Sequence, residues 1–173
     1  MPPISVKTVA PDSPELAQVV ALGDKFRKTL GFFPKDAFFN QAIKKGILAA
    51  VSGKTVAGYL MFNQAQKGHA RIIHLCIDDP FRGSGVTRTL FGALIERCKS
   101  VHRITLSCRR DFQACTLWVR LGFVEVGKRP GRGKVPSELV NFVFKVPHRS
   151  LFEEDQHDED VADIVIDANP VCQ

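Results

Sequence analysis

Residues 70–88 restrict the fold of this chain more than any other stretch. Ala70-Arg71-Ile72-Ile73-His74-Leu75-Cys76-Ile77 reads as a strand, and Asp78-Asp79-Pro80 breaks it. Phe81-Arg82-Gly83-Ser84-Gly85 then runs straight into Val86, Leu90, Leu94 and Cys98, four apart on one helix face. A strand that passes through glycines into an amphipathic helix needs a layered arrangement in which the helix packs on a sheet. The turn also has a chemistry. Unpaired N–H groups at a helix N-terminus, with the positive end of the helix dipole behind them, suit an anion such as phosphate. Glycines permit positive φ and close approach, and Arg82 and Arg88 can add charge-assisted contacts. Without further signals, the same glycines would do no more than make a tight turn.

The rest of the chain extends this pattern. Residues 4–10 alternate as a first strand. Ser13 is a candidate N-cap with Pro14 in the first turn, and Leu16, Val19, Val20, Leu22 and Phe26 continue one helix to Gly31. A second helix follows Pro34 and ends at Gly46 as its C-cap. Residues 47–51, the turn Ser52-Gly53-Lys54 and residues 55–64 form a hairpin. After the helix at 85–99 come a strand at 104–108, a helix at 111–121 stopped by Gly122, a strand from Phe123, a basic loop from Lys128 to Lys134, and a last strand at 138–146. The expectation is one α/β (α+β) domain: a mixed central sheet of about seven strands with helices on both faces.

Length and composition agree with one domain. The chain has 173 residues, 45% apolar and 24% charged, as in ordinary globular proteins. No apolar run approaches the roughly 20 residues of a membrane span, so no membrane partner is expected, and the opening residues, with no charged segment before an apolar core, give no expectation of a secretory signal. Five cysteines without a CxxC pair argue against a disulfide framework and a metal site and point to a reducing cytoplasmic setting. The net charge of +6 conceals an asymmetry. Residues 1–149 hold all 24 basic residues against 10 acidic ones, a formal +14, and residues 150–173 carry 8 acids alone. The acidic run Phe152–Asp160 reads as a solvated tail, so the domain is placed at 1–149 and the tail at 150–173. The basic body suggests an anionic partner such as RNA or an acidic metabolite. Its arginines could equally serve cofactor phosphates.

Two phosphate folds fit poorly. No GxxxxGK[ST] occurs, and Arg88 stands where a dinucleotide motif needs its third glycine. The chain instead resembles the GNAT superfamily of acyl-CoA-dependent N-acetyltransferases. Arg82-Gly83-Ser84-Gly85-Val86-Thr87 matches its [QR]xxGx[GA] motif at Arg82 and Gly85, with Thr87 in the last small position. Asp111 to Phe123 matches a later helix–strand motif at Ala114, Leu117, Gly122 and Phe123. Thr55-Val56-Ala57-Gly58-Tyr59-Leu60 is similar to the family's strand after a glycine turn. A fainter similarity, residues 162–169 to the opening strand of PIN-type nucleases, covers too little to hold a metal.

The resemblance implies acetyl-CoA, or another acyl-CoA, as cofactor, and a small or macromolecular amine as acceptor. It leaves the oligomeric state open. The strand at 70–77 would splay from its neighbour and pair its main chain at Leu75, Cys76 and Ile77 with the pantetheine arm. The diphosphate would lie on Arg82, Gly83, Ser84, Gly85, Val86, Thr87 and Arg88. An N–H near Ile77 would stabilise the oxyanion of direct amine attack. Several side chains depart from the family pattern. Trp118 takes the position of the usual tyrosine acid; an indole could line the cofactor channel but cannot release its proton. Asp111 takes that of an asparagine that orients the cofactor, or it caps its helix. Arg71 takes that of a glutamate base. His74, with a reference pKa of about 6.5, is the nearest titratable alternative and should point to the face opposite Arg71. A buried structural histidine is the competing reading. Asp78 and Asp79 fit as turn residues. With these gaps, a module that binds acyl-CoA or RNA without turnover is the alternative to an enzyme.

Overall fold

A computed structural model describes residues 2–64, 68–131 and 137–147. The acidic stretch at 150–173, its PIN-like segment and residues 132–136 of the basic loop lie outside the described residues. Seven strands form one sheet: β1 (Ile4–Thr8), β2 (Ile47–Ser52), β3 (Thr55–Gln64), β4 (His69–Ile77), β5 (Arg103–Arg109), β6 (Val124–Pro130) and β7 (Glu138–Lys145), in the spatial order β1-β2-β3-β4-β5-β7-β6. Five helices accompany it: α1 (Pro14–Lys25), α2 (Arg27–Leu30), α3 (Lys35–Ile43), α4 (Val86–Arg97) and α5 (Ala114–Arg120). All neighbours run antiparallel except β4 and β5, which are parallel and joined by the α4 crossover. This is the mixed seven-stranded α/β sheet that the sequence predicts. Among the described residues, no helix is long and apolar enough to cross a membrane.

The alternation of each strand divides its side chains between two cores. Leu48, Ala50, Leu60 and Phe62 meet Leu90 and Leu94 of α4, and this core continues over β5 and β7 through Ile104, Leu106, Val140 and Phe142. Ile47, Ala49, Val51, Tyr59 and Met61 meet Val19 and Leu22 of α1 and Phe38 of α3 on the other face. At those contacts, burial of apolar area supplies most of the drive to fold. Gly58 allows β3 to lie close against β4: a Cβ there would stand 2.7 Å from the Cys76 carbonyl oxygen.

Several boundaries differ from expectation. The first helix is interrupted at Phe26, giving α1 and the single turn α2 before Gly31. The helix expected from Asp111 begins only at Ala114. Lys128, Arg129 and Pro130 belong to β6 rather than to a loop, because they pair with Val140, Leu139 and Glu138. At the end of α3 it is Lys45 that takes the positive φ, 55°, not Gly46. Gly46 is small for another reason, since its Cβ would come 2.5 Å from the Phe62 carbonyl oxygen.

Candidate functional site

β4 and β5 pair only at His69–Arg103, Ala70–Ile104 and Arg71–Thr105. Beyond Arg71 they part, while β5 stays paired to β7 along its whole length. A bulge in β4 accompanies the parting. Met61 faces His74 and Phe62 faces Ile72, so Ile73 is the extra residue. A bulge bends its strand and increases its twist, which turns β4 away from β5. A gap therefore opens between Ile72–Ile77 and the far half of β5. Asp78 donates its backbone N–H to Ala57 at 2.9 Å, and Ile77 stands opposite Gly58. By antiparallel alternation, Cys76 turns its N–H and C=O toward β3, while Leu75 and Ile77 turn theirs into the gap.

The glycine turn stands at the mouth of this gap. A one-turn 3₁₀ helix, Asp79–Phe81, leads into it, with Asp78 accepting from the Asp79 N–H at 3.0 Å. Gly83 and Gly85 have φ of 76° and 85°, and Gly85 caps α4 in the left-handed conformation. A Cβ at either glycine would meet nothing within 4 Å. Only φ demands glycine there, and the space outside the turn is open. The first intrahelical bond of α4 is Thr89 N–H to Gly85, so the N–H groups of Val86, Thr87 and Arg88 are left for a ligand. Ser84 is engaged within the turn, donating from Oγ to the Phe81 carbonyl at 2.6 Å.

Gap and turn together form a cleft of about 640 Å³. Leu75, Cys76, Ile77, Arg82, Gly83, Gly85, Val86, Thr87 and Arg88 line it. Phe26, Thr29 and Leu30 close it from the α1–α2 side, and Leu117, Arg120 and Leu121 from α5. Of these only Leu117 belongs to a motif match; the sheet brings the others to the turn. Among the described residues, three arginines and no carboxylate line the cleft, a charge pattern that fits a ligand with several phosphates. Arg82 stacks 5.1 Å over Phe26 and reaches Asp79 at 3.2 Å. Lys25 contacts Asp78 at 2.6 Å and Asp79 at 3.1 Å, so both acids are held as partners of cations.

Ser84 stays in the turn between Gly83 and Gly85, with its side chain held to Phe81, whereas two expected cofactor residues, Trp118 and Asp111, lie away from the cleft. Trp118 is turned into the core against Phe123, at 5.3 Å between ring centroids. Leu117 of the same helix and Leu121 at its end face the cleft, and Trp118 does not. Asp111 neither caps α5 nor reaches the cleft; it is exposed and binds Arg109 at 2.7 and 3.0 Å.

His74 is 6% exposed and sits among Phe33, Phe38 and Tyr59, with Nδ1 at 3.3 Å from the Tyr59 hydroxyl. Burial drives its pKa down to about 4 and raises that of Tyr59. A buried imidazole without a counter-charge resists becoming imidazolium, which makes it a weak proton acceptor. The bulge also corrects its expected orientation. Ile72 enters one core, while Ile73 and His74 both face the other, so His74 shares a face with Arg71. Cys76 lines the cleft, but burial pushes its thiol up to about 12, so it does not serve as a thiolate nucleophile.

Known proteins agree with this architecture. A profile described as the Acetyltransferase (GNAT) family matches residues 20–123. Ard1 from Thermoplasma volcanium superposes with a TM-score of 0.75 at 17% identity, over 84% of this chain and 99% of its own. The ribosomal-protein-S18-alanine N-acetyltransferase from Escherichia coli gives 0.70 at 15%, over 90% and 100%. The protein yncA from Salmonella typhimurium, solved with its cofactor acetyl-CoA, gives 0.66 at 15%, over 91% and 99%. At such identities these likenesses show the fold. No curated protein matches the chain significantly. The match of the family profile, the splayed strands and the glycine turn lead to one assignment: this chain belongs to the GNAT acetyltransferase family.

Proposed function

We propose that this chain moves an acetyl group from acetyl-CoA to a primary amine. The observation that carries the reading is the parting of β4 from β5 with the glycine turn at its mouth. Acetyl-CoA supplies an activated thioester: the amine nitrogen bonds to its carbonyl carbon, the carbon–sulfur bond breaks, and the thiolate leaves and takes up a proton. The amides from Gly83 to Arg88 hold the diphosphate, and the guanidiniums of Arg82 and Arg88 add charge. Leu75 and Ile77 offer their main-chain groups to the pantetheine arm as an added strand would. Ile77 borders the phosphate turn, so the acyl end of an extended arm reaches toward the bulge at Ile73. The N–H that polarises the thioester therefore belongs to β4 near that bulge rather than to Ile77.

Among the described residues that line the cleft, none is a carboxylate, histidine or tyrosine that could exchange protons. In this reading, positioning supplies most of the rate and water removes the amine proton. The same absence favours the second reading, a module that binds acyl-CoA without turnover. Cys76, Cys98, Cys108 and Cys115 are free thiols, which agrees with a cytoplasmic setting.

Calorimetry with acetyl-CoA tests the cofactor. Wild type binds, Arg88→Gln binds about tenfold more weakly, and Gly85→Asp, which places a carboxylate on the diphosphate site, does not bind. No binding by wild type overturns the assignment. Binding without thiol release across a broad amine panel favours the second reading.

A further inference from the structure

The two faces of the sheet are not equally covered. The core under α1 and α3 draws on β2, β3 and β4 and contains no residue of β5, β6 or β7. Among the described residues no helix covers the far half of the sheet on that face, where polar side chains stand beside the apolar Val124, Leu139 and Val143. Thr105, Ser107 and Asn141 project there, because their neighbours Ile104, Leu106, Val140 and Phe142 enter the other core. Ser107 Oγ donates to Asn141 Oδ1 at 2.8 Å, which leaves the Asn141 amide N–H groups as donors. Asn141 is itself only 7% exposed, but Gly127 stands opposite it on β6 and a Cβ there would meet nothing within 4 Å, so open space borders Asn141 on that side.

An arginine stands at each end of this floor. Arg71 is paired with Thr105, and Arg129 lies opposite Leu139, two residues from Asn141 on the same face. Neither arginine has an acidic partner among the described residues, whereas nearby Arg109 binds Asp111, and Arg110 binds Glu125 and Glu138. The Nε of Arg129 is buried without a hydrogen-bond partner. Burial lowers the pKa of Arg71, and the charge of Arg129 lowers it further. Two half-buried guanidiniums that repel each other across a floor of donors are relieved by an anion between them. Arg71 is also the last β4 residue paired before the gap, at the point to which the acyl end of the arm extends.

We propose that this floor is the acceptor pocket, and that Arg71 and Arg129 bind the carboxylate of an amino acid or short peptide whose free amine is acetylated. The inference rests on the acetyl-transfer reading above. A compact floor between two planar forks suits bidentate binding of a carboxylate. A nucleic acid would call for an extended basic surface with rings for base stacking, and among the described residues no Phe, Tyr or Trp stands on the floor.

Steady-state kinetics with acetyl-CoA test it, using amino acids and dipeptides, each matched with its carboxamide. Wild type prefers the carboxylates. Arg71→Gln and Arg129→Gln each raise KM for them by about tenfold or more, leave the carboxamides unchanged, and retain acetyl-CoA affinity by calorimetry. Arg71→Lys, which preserves charge but loses the fork, shows an intermediate loss and guards against misfolding. Equal use of carboxylate and carboxamide by wild type overturns the carboxylate pocket while leaving acetyl transfer intact. Salt-sensitive RNA binding weakened by both variants, without a carboxylate preference, also overturns it. Failure to bind acetyl-CoA removes the underlying reading.

Discussion

The β1–β4 half of the sheet and the β5–β7 half are built to different ends. The first is sandwiched, with α4 on one face and α1 and α3 on the other, and β2 is buried from end to end. Among the described residues the second has a helix on one face only, and its other face carries Arg71's neighbours Thr105, Ser107 and Asn141. The cleft lies at the seam between the halves. Where every residue is packed on both faces, the fold gains stability and has no room for a ligand. Where one face stays bare, polar side chains can be directed at something other than the protein.

If the halves differ in this way, mutations should divide accordingly. The largest loss is expected at the centre of the sandwiched half: Leu60→Ala, at a fully buried β3 position, should cost about 2–5 kcal/mol in urea unfolding. Acid should act through the same half. His74 has a folded pKa near 4 against an ordinary 6.5, so the unfolded chain binds its proton first. Stability is full above pH 6.5 and falls as the pH drops toward 4, by roughly 3 kcal/mol at most. His74→Phe should remove most of the difference between melts at pH 7 and pH 4.5; an unchanged difference would place the acid sensitivity elsewhere.

Gly23→Ala is a finer probe. The helix itself would gain about 1 kcal/mol from the exchange. The new Cβ would lie 2.7 Å from Phe38 and 3.0 Å from the Tyr59 hydroxyl, so overpacking should win, with a net loss of about 1–3 kcal/mol. A stabilised variant would show that α1 packs more loosely than these distances imply. The smallest effect on stability should come from the bare half. Ser107→Ala removes one hydrogen bond, worth about 1 kcal/mol or less, yet it should alter acceptor KM because it frees Asn141 Oδ1.

The reach of sequence reading varied with the range of the interactions. The glycine turn was legible because its conformation is local: Gly83 and Gly85 both take positive φ, and both line the cleft. The order of elements was legible from alternation and helical spacing. Trp118 and Asp111 lie away from the cleft because packing on Phe123 and the ion pair with Arg109 hold them, and a motif shows neither contact. The relation between Arg71 and His74 failed for a comparable reason. Counting by twos along a strand holds only without a bulge, and Ile73 is an extra residue visible only against β3. Arg129 was read as part of a loop, although pairing with β7 extends β6 to Pro130.

By itself, the sequence determined the family, the succession of strands and helices and the anion-binding turn, because each is written in residues close together along the chain. Tertiary structure decided which face each side chain serves. The bulge and the pairing of β6 with β7 depend on partners distant in sequence, and they bring Arg71 and Arg129 to one uncovered floor beside the cleft.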